Sequence, residues 1–327
     1  MAVYRNQTGE IIQNTTDRMR EEVVKGLLST PKYLNSKYFY DAEGNKLFQQ
    51  IMDLPEYYLT RSEMEIFKDQ SKSIAKTILS GTTELDIVEL GAGNAIKSTH
   101  LLKQLSEQQI DFTYFPIDIS DTVIHLLEQE IPARVPGIKI HGLNGEYLDM
   151  VEYANLLSPH RKVYLFLGSN IGNFRKSFAI EFLKKLQKQL KSGDLLLIGL
   201  DLKKNPKQIL AAYNDAAGVT KAFNLNLLKR IRRELDVDLD LAQFEHYPTY
   251  DPISGSCRSY IISLEKQSVL IDNECITFEK NEPIYMELSQ KYSVSEIDDL
   301  AEQTGFKTIE YFFDSNKWFL DVVWQKE

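Results

Sequence analysis

Residues that bind metals or form disulfide bonds are scarce in this chain. It contains two cysteines, Cys257 and Cys275, without C-x-x-C spacing, and five histidines that are scattered along the sequence. A structural zinc site needs cysteine or histidine ligands at short, regular spacings, and disulfide bonds are characteristic of oxidising compartments. We therefore predict no bound metal and two reduced thiols, as in a cytoplasmic protein.

The chain also lacks an excess of basic residues and long apolar stretches. It has 38 lysines and arginines against 47 aspartates and glutamates, a formal net charge of −9. A sequence-independent nucleic-acid binder needs a basic surface, and a membrane-spanning helix needs about 20 consecutive apolar residues. Charged side chains interrupt every apolar stretch here, and the start, MAVYRNQTGE, lacks the apolar core of a secretory signal. We expect no nucleic-acid or membrane partner and no obligatory protein partner.

What the sequence does contain is a strand, a glycine turn and a helix within residues 86–99, DIVELGAGNAIKST. The apolar residues before the turn predict a short strand that is buried on both faces. Gly91 and Gly93 follow directly, and residues without a Cβ let the backbone turn tightly and approach a ligand. A helical pattern starts at Lys97. This order is typical of the first βα unit of a nucleotide-binding α/β sheet.

The residues around these glycines indicate the kind of nucleotide. The dinucleotide motif G-x-G-x-x-G requires a third glycine, but Ile96 occupies that place, and the spacing of a phosphate-binding P-loop is also missing. Glu89 precedes the glycines, and an acidic residue there is typical of proteins that bind S-adenosylmethionine (SAM). An acidic side chain suits the sulfonium of SAM better than it suits pyrophosphate. A glycine turn without a ligand is the alternative interpretation of this stretch alone.

Polar residues follow the next three predicted strands. Asp118 follows strand 112–117, where an acidic residue accepts hydrogen bonds from ribose hydroxyls; capping of the next helix is the alternative. Glu146 and Tyr147 follow the third strand and would contact an adenine amino group and ring, unless they form an ordinary loop. Residues 168–174, GSNIGNF, follow the fourth strand. Asparagine amides there can bind an amine or a carboxylate, and simple turn formation is the alternative.

Strands and helices alternate regularly from about residue 86 to residue 202, with the third strand over 137–142. Residues 203–288 break this pattern with a long helical stretch from Pro206 to Leu235 and then strand-like segments, which predict an insertion. Residues 295–303 predict a helix. The tail TIEYFFDSNKWFLDVVWQ predicts a hairpin that adds the last two strands of the sheet, one of them antiparallel.

Seven ordered segments of the chain resemble one known family. The segments are KYFYDAEGNKLFQQIMDLPEYYLTRSE, VELGAGNAIKS, PIDIS, LFLGSNIGNF, GDLLLIGLDLKK, AYNDAAGVTKAFNLNLLKRI and ELSQKYS. Together they are similar to the histidine-specific SAM-dependent methyltransferases, the L-histidine Nα-methyltransferases of ergothioneine biosynthesis. The resemblance extends over nearly the whole chain. It implies a Rossmann-like α/β fold of the class I SAM methyltransferases, with SAM as the cofactor.

The two-domain organisation of this family agrees with the break in the α/β pattern. The resemblance implies a SAM-binding methyltransferase core of residues 63–202 and 289–327. Residues 1–62 and 203–288 would form a substrate-recognition domain. Within it, the tyrosine-rich N-terminal segment either packs in a core or lines a substrate site that offers ring faces and hydroxyls together.

The resemblance also implies residue roles. It places Gly91 and Lys97 at SAM beside the motif residues Glu89 and Gly93, Asp118 at the ribose, and Glu146 with Tyr147 at the adenine. It places Tyr57 and Asn173 at the amino-acid substrate, Tyr213 with Tyr40 at its carboxylate, and Glu287 with Ser289 at its imidazole ring. The implied reaction transfers methyl groups from SAM to the α-amino group of histidine, up to three times, to give the trimethyl betaine hercynine. Asn173 would hold the amine, and Tyr40 or Tyr57 would help the amine to lose its proton.

Some positions depart from the family pattern. Asn170 and Glu146 stand where threonine and aspartate are usual, and Met286 and Ile261 stand where threonine and methionine are usual. The last two border the implied side-chain pocket, which leaves another aromatic amino acid or a modified histidine open as the substrate. A SAM-binding protein without turnover is a second alternative, and the missing third glycine disfavours an NAD-dependent oxidoreductase. For Glu287, a surface ion pair with Lys291 is the alternative.

Overall fold

The computed structural model describes residues 4–5, 11–12, 15–80, 82 and 84–326. The helices are α1 Thr15–Leu28, α2 Ala42–Asp53, α3 Tyr58–Ile78, α4 Ser98–Glu107, α5 Asp121–Arg134, α6 Tyr147–Leu157, α7 Lys176–Gln189, α8 Pro206–Ala212, α9 Val219–Leu235 and α10 Val294–Thr304. The strands are β1 Tyr4–Arg5, β2 Ile11–Ile12, β3 Glu84–Leu90, β4 Asp111–Asp118, β5 Lys139–Ile140, β6 Leu143–Asn144, β7 Lys162–Phe166, β8 Leu195–Asp201, β9 Phe244–Asp251, β10 Ser256–Ser263, β11 Gln267–Ile271, β12 Glu274–Phe278, β13 Pro283–Gln290, β14 Phe306–Phe313 and β15 Phe319–Lys326. Short 3₁₀ helices span Ser36–Phe39, Asn170–Asn173 and Leu241–Gln243. Among the described residues, no helix is both long enough and apolar enough to cross a membrane.

The chain divides into two compact units. The first unit consists of the chain up to Tyr57 and of the segment Asn205–Leu288. The second unit consists of Tyr58–Lys204 and of the chain from Ser289 onward. The sequence predicts boundaries after residues 62, 202 and 288, whereas the units change after residues 57, 204 and 288. The first difference arises because α3 already begins at Tyr58.

The second unit is built on a sheet with the strand order β14-β15-β8-β7-β3-β4-β5, and β6 also pairs with β4. All pairs among β8, β7, β3, β4, β5 and β6 are parallel. Strand β15 is antiparallel to both β8 and β14, so the terminal hairpin adds one antiparallel strand, as predicted. Parallel strands joined through helices form the Rossmann-like α/β class, which confirms the predicted fold.

The apolar strands of this sheet pack on both faces. Strands β7 and β8 are buried throughout, and β3 is buried from Leu85 to Leu90. Successive side chains of a strand point to opposite faces; accordingly Ile87 lies in one hydrophobic cluster, while Val88 and Leu90 lie in another. The loops at the carboxyl ends of such strands are where open α/β sheets bind ligands.

The first unit has its own small sheet and its own core. Its sheet has the order β13-β10-β9, with β9 antiparallel to β10, and β11 and β12 form a separate hairpin. The predicted strand-like segments of the insertion are therefore present as β10, β11 and β12. Phe39, Phe223 and Met286 are among the buried residues of the core, in which α2 packs against α9.

The predicted helical stretch from Pro206 to Leu235 is wrong, because it consists of two helices. Between them, the Asp215 carboxylate accepts hydrogen bonds from the N–H groups of Val219 and Thr220, both at 2.8 Å. The first N–H groups of a helix have no partner within the helix, so Asp215 fixes the start of α9 and separates it from α8.

The predicted third strand, 137–142, is wrong in its extent, because only the two-residue strand β5 lies in that range and β6 begins directly after it. The Gly142 N–H donates to the Glu128 carboxylate at 3.0 Å and is not part of the β ladder. The chain therefore leaves the sheet between the two short strands and returns to it at Leu143.

Candidate active site

Gly91, directly after β3, occupies a position that favours glycine for two reasons. Its φ of +70° lies in the left-handed region, which residues with a Cβ avoid. A Cβ built on it would lie 2.8 Å from Oη of Tyr147 and 3.2 Å from Nδ2 of Asn170. The glycine therefore lets the turn after β3, the start of α6 and the loop after β7 meet around its backbone.

Asp118 ends β4, the strand beside β3, and its carboxylate binds the glycine turn. Oδ2 accepts a hydrogen bond from the Gly93 N–H at 3.2 Å, and Oδ1 accepts one from the Ser120 N–H at 2.9 Å. The capping alternative is wrong, because α5 is capped by Ser120, whose Oγ accepts from the Val123 N–H at 3.4 Å. The half-buried Asp118 carboxylate has lone pairs left for further donors.

Glu146 and Tyr147 begin α6 close to Gly91. Glu146 is exposed at the N-cap position, and the ring of Tyr147 lies against Phe166 and Phe182, at centroid distances of 5.7 and 6.2 Å. Burial, together with the charges of Asp118 and Glu146, raises the pKa of Tyr147 to about 12. Its phenol therefore stays protonated at neutral pH and can both donate and accept hydrogen bonds.

Glu89 lies in the interior of the second unit. It is 4% exposed and accepts a hydrogen bond from the Tyr114 hydroxyl at 2.5 Å. Burial raises the pKa of Glu89 to about 7, against the opposing effects of hydrogen bonds from Tyr114 and Ser98 and of the Lys97 charge. The carboxyl group is therefore only partly ionised near neutral pH, and it joins β3 to β4 and to the start of α4.

Lys97 pairs with the buried carboxylate of Glu63, a residue to which sequence reasoning assigned no role. Its ammonium group binds Glu63, a residue of α3 that is 1% exposed, and Glu63 Oε1 accepts the Gly168 N–H at 2.7 Å. The turn before α4 and the loop after β7 thus share one buried carboxylate. The sequence holds a signal for it, since Glu63 follows Leu59 by four positions and precedes Phe67 by four, on the apolar side of a helix.

Asp321 of β15 lies near the same carboxylate. A Cβ built on Gly199 of β8 would overlap Glu63 Oε1 and would lie 2.9 Å from Asp321 Oδ1, so both carboxyl groups approach this glycine. Burial and the charge of Glu63 raise the pKa of Asp321 well above its usual range. This raised pKa favours the protonated form of Asp321, which lessens the repulsion between two adjacent buried carboxyl groups.

The loop after β7 carries Asn173 at the end of a short 3₁₀ helix. It begins with two residues of positive φ, Gly168 at +74° and Ser169 at +55°. Asn173 itself is exposed. Ser169 Oγ accepts a hydrogen bond from the Asp201 N–H at 3.1 Å, so the loop is attached to the end of β8 and Asn173 is held on an ordered backbone.

Ser289 lies near the end of β13 and contacts a buried lysine. It is 8% exposed, and its Oγ accepts a hydrogen bond from Lys291 Nζ at 2.7 Å. The same ammonium lies 2.6 Å from Asp201 Oδ2, and both side chains of this pair are fully buried. The alternative in which Lys291 forms a surface ion pair is therefore wrong. Sequence reasoning missed the pair of Asp201 and Lys291, although both residues lie in segments that carry the family resemblance, because the two segments are far apart in the chain.

Four of the residues implied at the substrate belong to the first unit. Tyr40 and Tyr57 both lie against the ring of Phe48, at centroid distances of 5.7 and 6.5 Å, and Tyr57 lies 6.2 Å from Tyr213. The three tyrosines are thus linked through the rings of Phe48 and Tyr57, and sequence reasoning did not include Phe48. Glu287 lies on β13 of this unit and is half-buried.

Comparison with known proteins matches nearly the whole chain to one family. The family model described as "Histidine-specific methyltransferase, SAM-dependent" matches residues 19–326. A histidine N-alpha-methyltransferase of Mycolicibacterium smegmatis is 34% identical over 92% of this chain and 92% of its own length. That of Mycobacterium tuberculosis is 32% identical over 90% of this chain and 91% of its own. An L-tryptophan methyltransferase of Psilocybe serbica is 30% identical over 89% of this chain and 88% of its own.

Proposed function

Because this chain belongs to the histidine-specific, SAM-dependent methyltransferases, we propose that it transfers methyl groups from SAM to the α-amino nitrogen of L-histidine. Three transfers would yield the trimethyl betaine hercynine. The family match over residues 19–326 carries the proposal. The two relatives named histidine N-alpha-methyltransferases support it, since each aligns over at least nine-tenths of this chain. The protein is an enzyme that uses SAM as its cofactor.

The residues at the carboxyl ends of β3, β4 and β6 fit SAM. A Cβ built on Gly93 would meet nothing within 4 Å, so the backbone of the glycine turn is open to a ligand beside this residue. The Asp118 carboxylate would accept the ribose hydroxyls, and Tyr147 with Glu146 would hold the adenine. SAM supplies a methyl group that its sulfonium has already activated, so this chain has to supply binding and orientation.

Asn173, Tyr40 and Tyr57 would handle the substrate amine. An ammonium group has no lone pair, so the α-amino group must lose a proton before each methyl transfer. The amide oxygen of Asn173 can accept one amine N–H and direct the nitrogen lone pair, and orientation of this kind supplies a large share of enzymic rate. The hydroxyl of Tyr40 or Tyr57 would relay the proton: its oxygen would take the amine proton while its own hydrogen passes to water.

Tyr213 would bind the substrate carboxylate beside Tyr57. The carboxylate and the amine of an amino acid are attached to the same carbon, so the groups that bind them must also be neighbours. The ring contact between Tyr57 and Tyr213 meets this condition within the first unit. A phenol hydroxyl donates to a carboxylate without adding a charge.

Glu287 and Ser289 would select the imidazole ring. They lie two positions apart on β13, and alternate residues of a strand share one face. Glu287 would accept the ring N–H, and Ser289 would donate to the other ring nitrogen. An amino acid without these ring nitrogens would leave both polar groups unpaired, and sites of this kind reject such analogues strongly.

Another aromatic amino acid is the second candidate substrate. The relative from Psilocybe serbica, an L-tryptophan methyltransferase, favours it, as do the departures at Met286 and Ile261. These two residues are 1% and 0% exposed in the core of the first unit. Met286 also points to the face of β13 opposite Glu287. Both side chains therefore contribute to packing, which supports histidine as the first choice.

Competition among free amino acids tests this choice. The protein is incubated with SAM and equal concentrations of histidine, tryptophan and phenylalanine, and the methylated products are quantified by mass spectrometry. The proposal predicts a preference for histidine of at least about 100-fold, as expected for a site that forms hydrogen bonds to both ring nitrogens. Faster methylation of tryptophan would replace the proposal with the second candidate. Binding of SAM without any methylation would indicate a protein without turnover.

A further inference from the structure

A cluster of charged residues is buried where β8 ends in the second unit. Asp201, the last residue of β8, is fully buried. Its carboxylate binds Lys291 at 2.6 Å, accepts from the Tyr58 hydroxyl at 2.9 and 3.1 Å, and also binds Lys204. A charged group is retained in a protein interior when it is paired. The pair with Asp201 therefore fixes the position of the Lys291 ammonium.

The same ammonium donates a hydrogen bond of 2.7 Å to Oγ of Ser289. The two residues are separated by a single position, and alternate residues of an extended chain project to the same side. An ammonium group has three N–H donors and no acceptor, so Ser289 can only accept in this bond. The direction of the hydrogen bond is thus determined by Lys291.

We propose that Lys291 is a positioning residue for substrate specificity, which orients the Ser289 hydroxyl as a donor toward an imidazole nitrogen. The inference rests on the proposed function, because it concerns the same ring. A hydroxyl without this constraint can pair either with a ring N–H or with a ring nitrogen that has a lone pair. The bond from Lys291 takes one of the two lone pairs of the hydroxyl oxygen and thereby favours donation of its hydrogen to the ring, while Glu287 accepts from the opposite ring nitrogen. The two contacts together match one neutral imidazole tautomer.

Asp201 extends this arrangement to the loop that carries Asn173. Its backbone N–H donates to Ser169 Oγ at 3.1 Å, and Ser169 directly precedes the 3₁₀ helix that ends at Asn173. One residue at the end of β8 is thus linked both to the segment proposed to hold the amine and, through Lys291, to the hydroxyl proposed to hold the ring. Both links lie within the second unit.

Lys204 provides a matched control on the same carboxylate. Its ammonium binds Asp201, the Tyr58 hydroxyl at 2.9 Å and the Leu202 carbonyl at 2.6 Å. A Lys204→Met variant therefore measures the effect of disturbing the buried charge cluster itself. The comparison with Lys291→Met separates that effect from the loss of the bond to Ser289.

A double-mutant cycle tests the inference in the full-length protein. Lys291→Met, Ser289→Ala and the double variant are titrated with histidine by calorimetry in the presence of S-adenosylhomocysteine, whose own Kd is measured in parallel. We expect Lys291→Met to raise the Kd for histidine about tenfold, as for one lost buried hydrogen bond, without changing the Kd for S-adenosylhomocysteine. In the Ser289→Ala background, Lys291→Met should raise the Kd for histidine by less than about twofold. The Kd of Lys204→Met for histidine should stay within about threefold of the wild-type value.

Two results would overturn the inference. One is an unchanged histidine Kd in Lys291→Met. The other is an equal loss of affinity in the Ser289 and Ser289→Ala backgrounds, which a lysine with a purely structural role would give. If Lys291→Met does not fold, the pair Asp201→Asn/Lys291→Met removes both charges together and provides the same comparison. The proposed function fails in a different way, when the wild-type protein binds histidine without methylating it.

Discussion

The N–H of Gly93 donates a hydrogen bond to the carboxylate of Asp118 across 3.2 Å. The two residues follow β3 and end β4, which are adjacent and parallel, so the carboxyl ends of both strands meet at one edge of the sheet. The bond orders the glycine turn and the acidic side chain with respect to each other. These two features are the ones from which we infer the cofactor site.

Removal of the Asp118 carboxylate tests that site. We predict that Asp118→Ala weakens SAM binding by about 10- to 100-fold, because hydrogen bonds to a charged group contribute about 1.5–3 kcal/mol. The measurement is the Kd for SAM by calorimetry. Asp121→Ala removes an exposed carboxylate from the start of α5 and should keep the wild-type Kd. If the Asp118 variant also keeps it, Asp118 does not contact the ribose.

Substitution of Gly91 separates backbone strain from crowding of the site. Gly91 and Gly137 both have a positive φ, +70° and +81°, but a Cβ at Gly137 would meet nothing within 4 Å. We predict that Gly91→Ala and Gly137→Ala both lower the free energy of unfolding by about 1–2 kcal/mol, the cost of a left-handed conformation. Only Gly91→Ala should also weaken SAM binding, since its Cβ approaches Tyr147 and Asn170. Equal SAM affinities in the two variants would contradict the assignment.

The buried carboxyl of Glu89 makes stability depend on pH. Burial raises its pKa from 4.5 to about 7, so between these pH values the folded protein binds a proton that the unfolded chain releases. The free energy of unfolding therefore falls as the pH rises through this window, by about 3 kcal/mol in total for this one group. We predict that Glu89→Gln removes this contribution, so that the variant gains stability over the wild type as the pH increases.

Urea unfolding at pH 5 and pH 8 provides the measurement for Glu89. The stability difference between Glu89→Gln and the wild type should shift in favour of the variant by a few kcal/mol between the two pH values. Glu84→Gln, the control, changes an exposed carboxyl on the same strand. Its stability difference from the wild type should be the same at both pH values. A pH-independent difference for Glu89→Gln would show that its pKa is not raised by burial.

In the proposed function, recognition of the imidazole would depend most on Glu287. We predict that Glu287→Ala lowers kcat/KM for histidine by about 100-fold, because a buried ring N–H would lose a charged acceptor. The Kd for SAM should not change. Glu274→Ala, an exposed carboxylate on β12 of the same unit, serves as the control. Undiminished kcat/KM in Glu287→Ala would reject the assignment of Glu287 to the imidazole.

The glycine turn, Asp118 and the fold class could be predicted because their signals are local. A strand, two glycines and a helix occupy residues 86–99, and one βα unit later the next strand ends at Asp118. A parallel sheet then brings these strand ends together whatever the remaining sequence is. The terminal hairpin could be predicted for the same reason, because its two strands and its turn follow one another directly in the sequence.

The buried charges could not be predicted, because their partners are distant in the sequence. Asp201 and Lys291 form a fully buried pair, yet nothing in the sequence next to either residue indicates that the two side chains pair. Glu63 interrupts an apolar helix face, which reveals that it is buried but not that Lys97 binds it. Strand β9 was not predicted either, because it contains Pro248, and a proline cannot donate a hydrogen bond to a β ladder. The proline is tolerated because β9 lies at the edge of its sheet.

The most direct test of the account is the position and number of methyl groups on histidine. The protein is incubated with histidine and SAM that carries a ¹³C-labelled methyl group, and the product is fragmented by tandem mass spectrometry. The account predicts a product with three labelled methyl groups on the α-nitrogen and an unmodified imidazole ring. Label on a ring nitrogen, or no labelled histidine from protein that binds SAM, would contradict it.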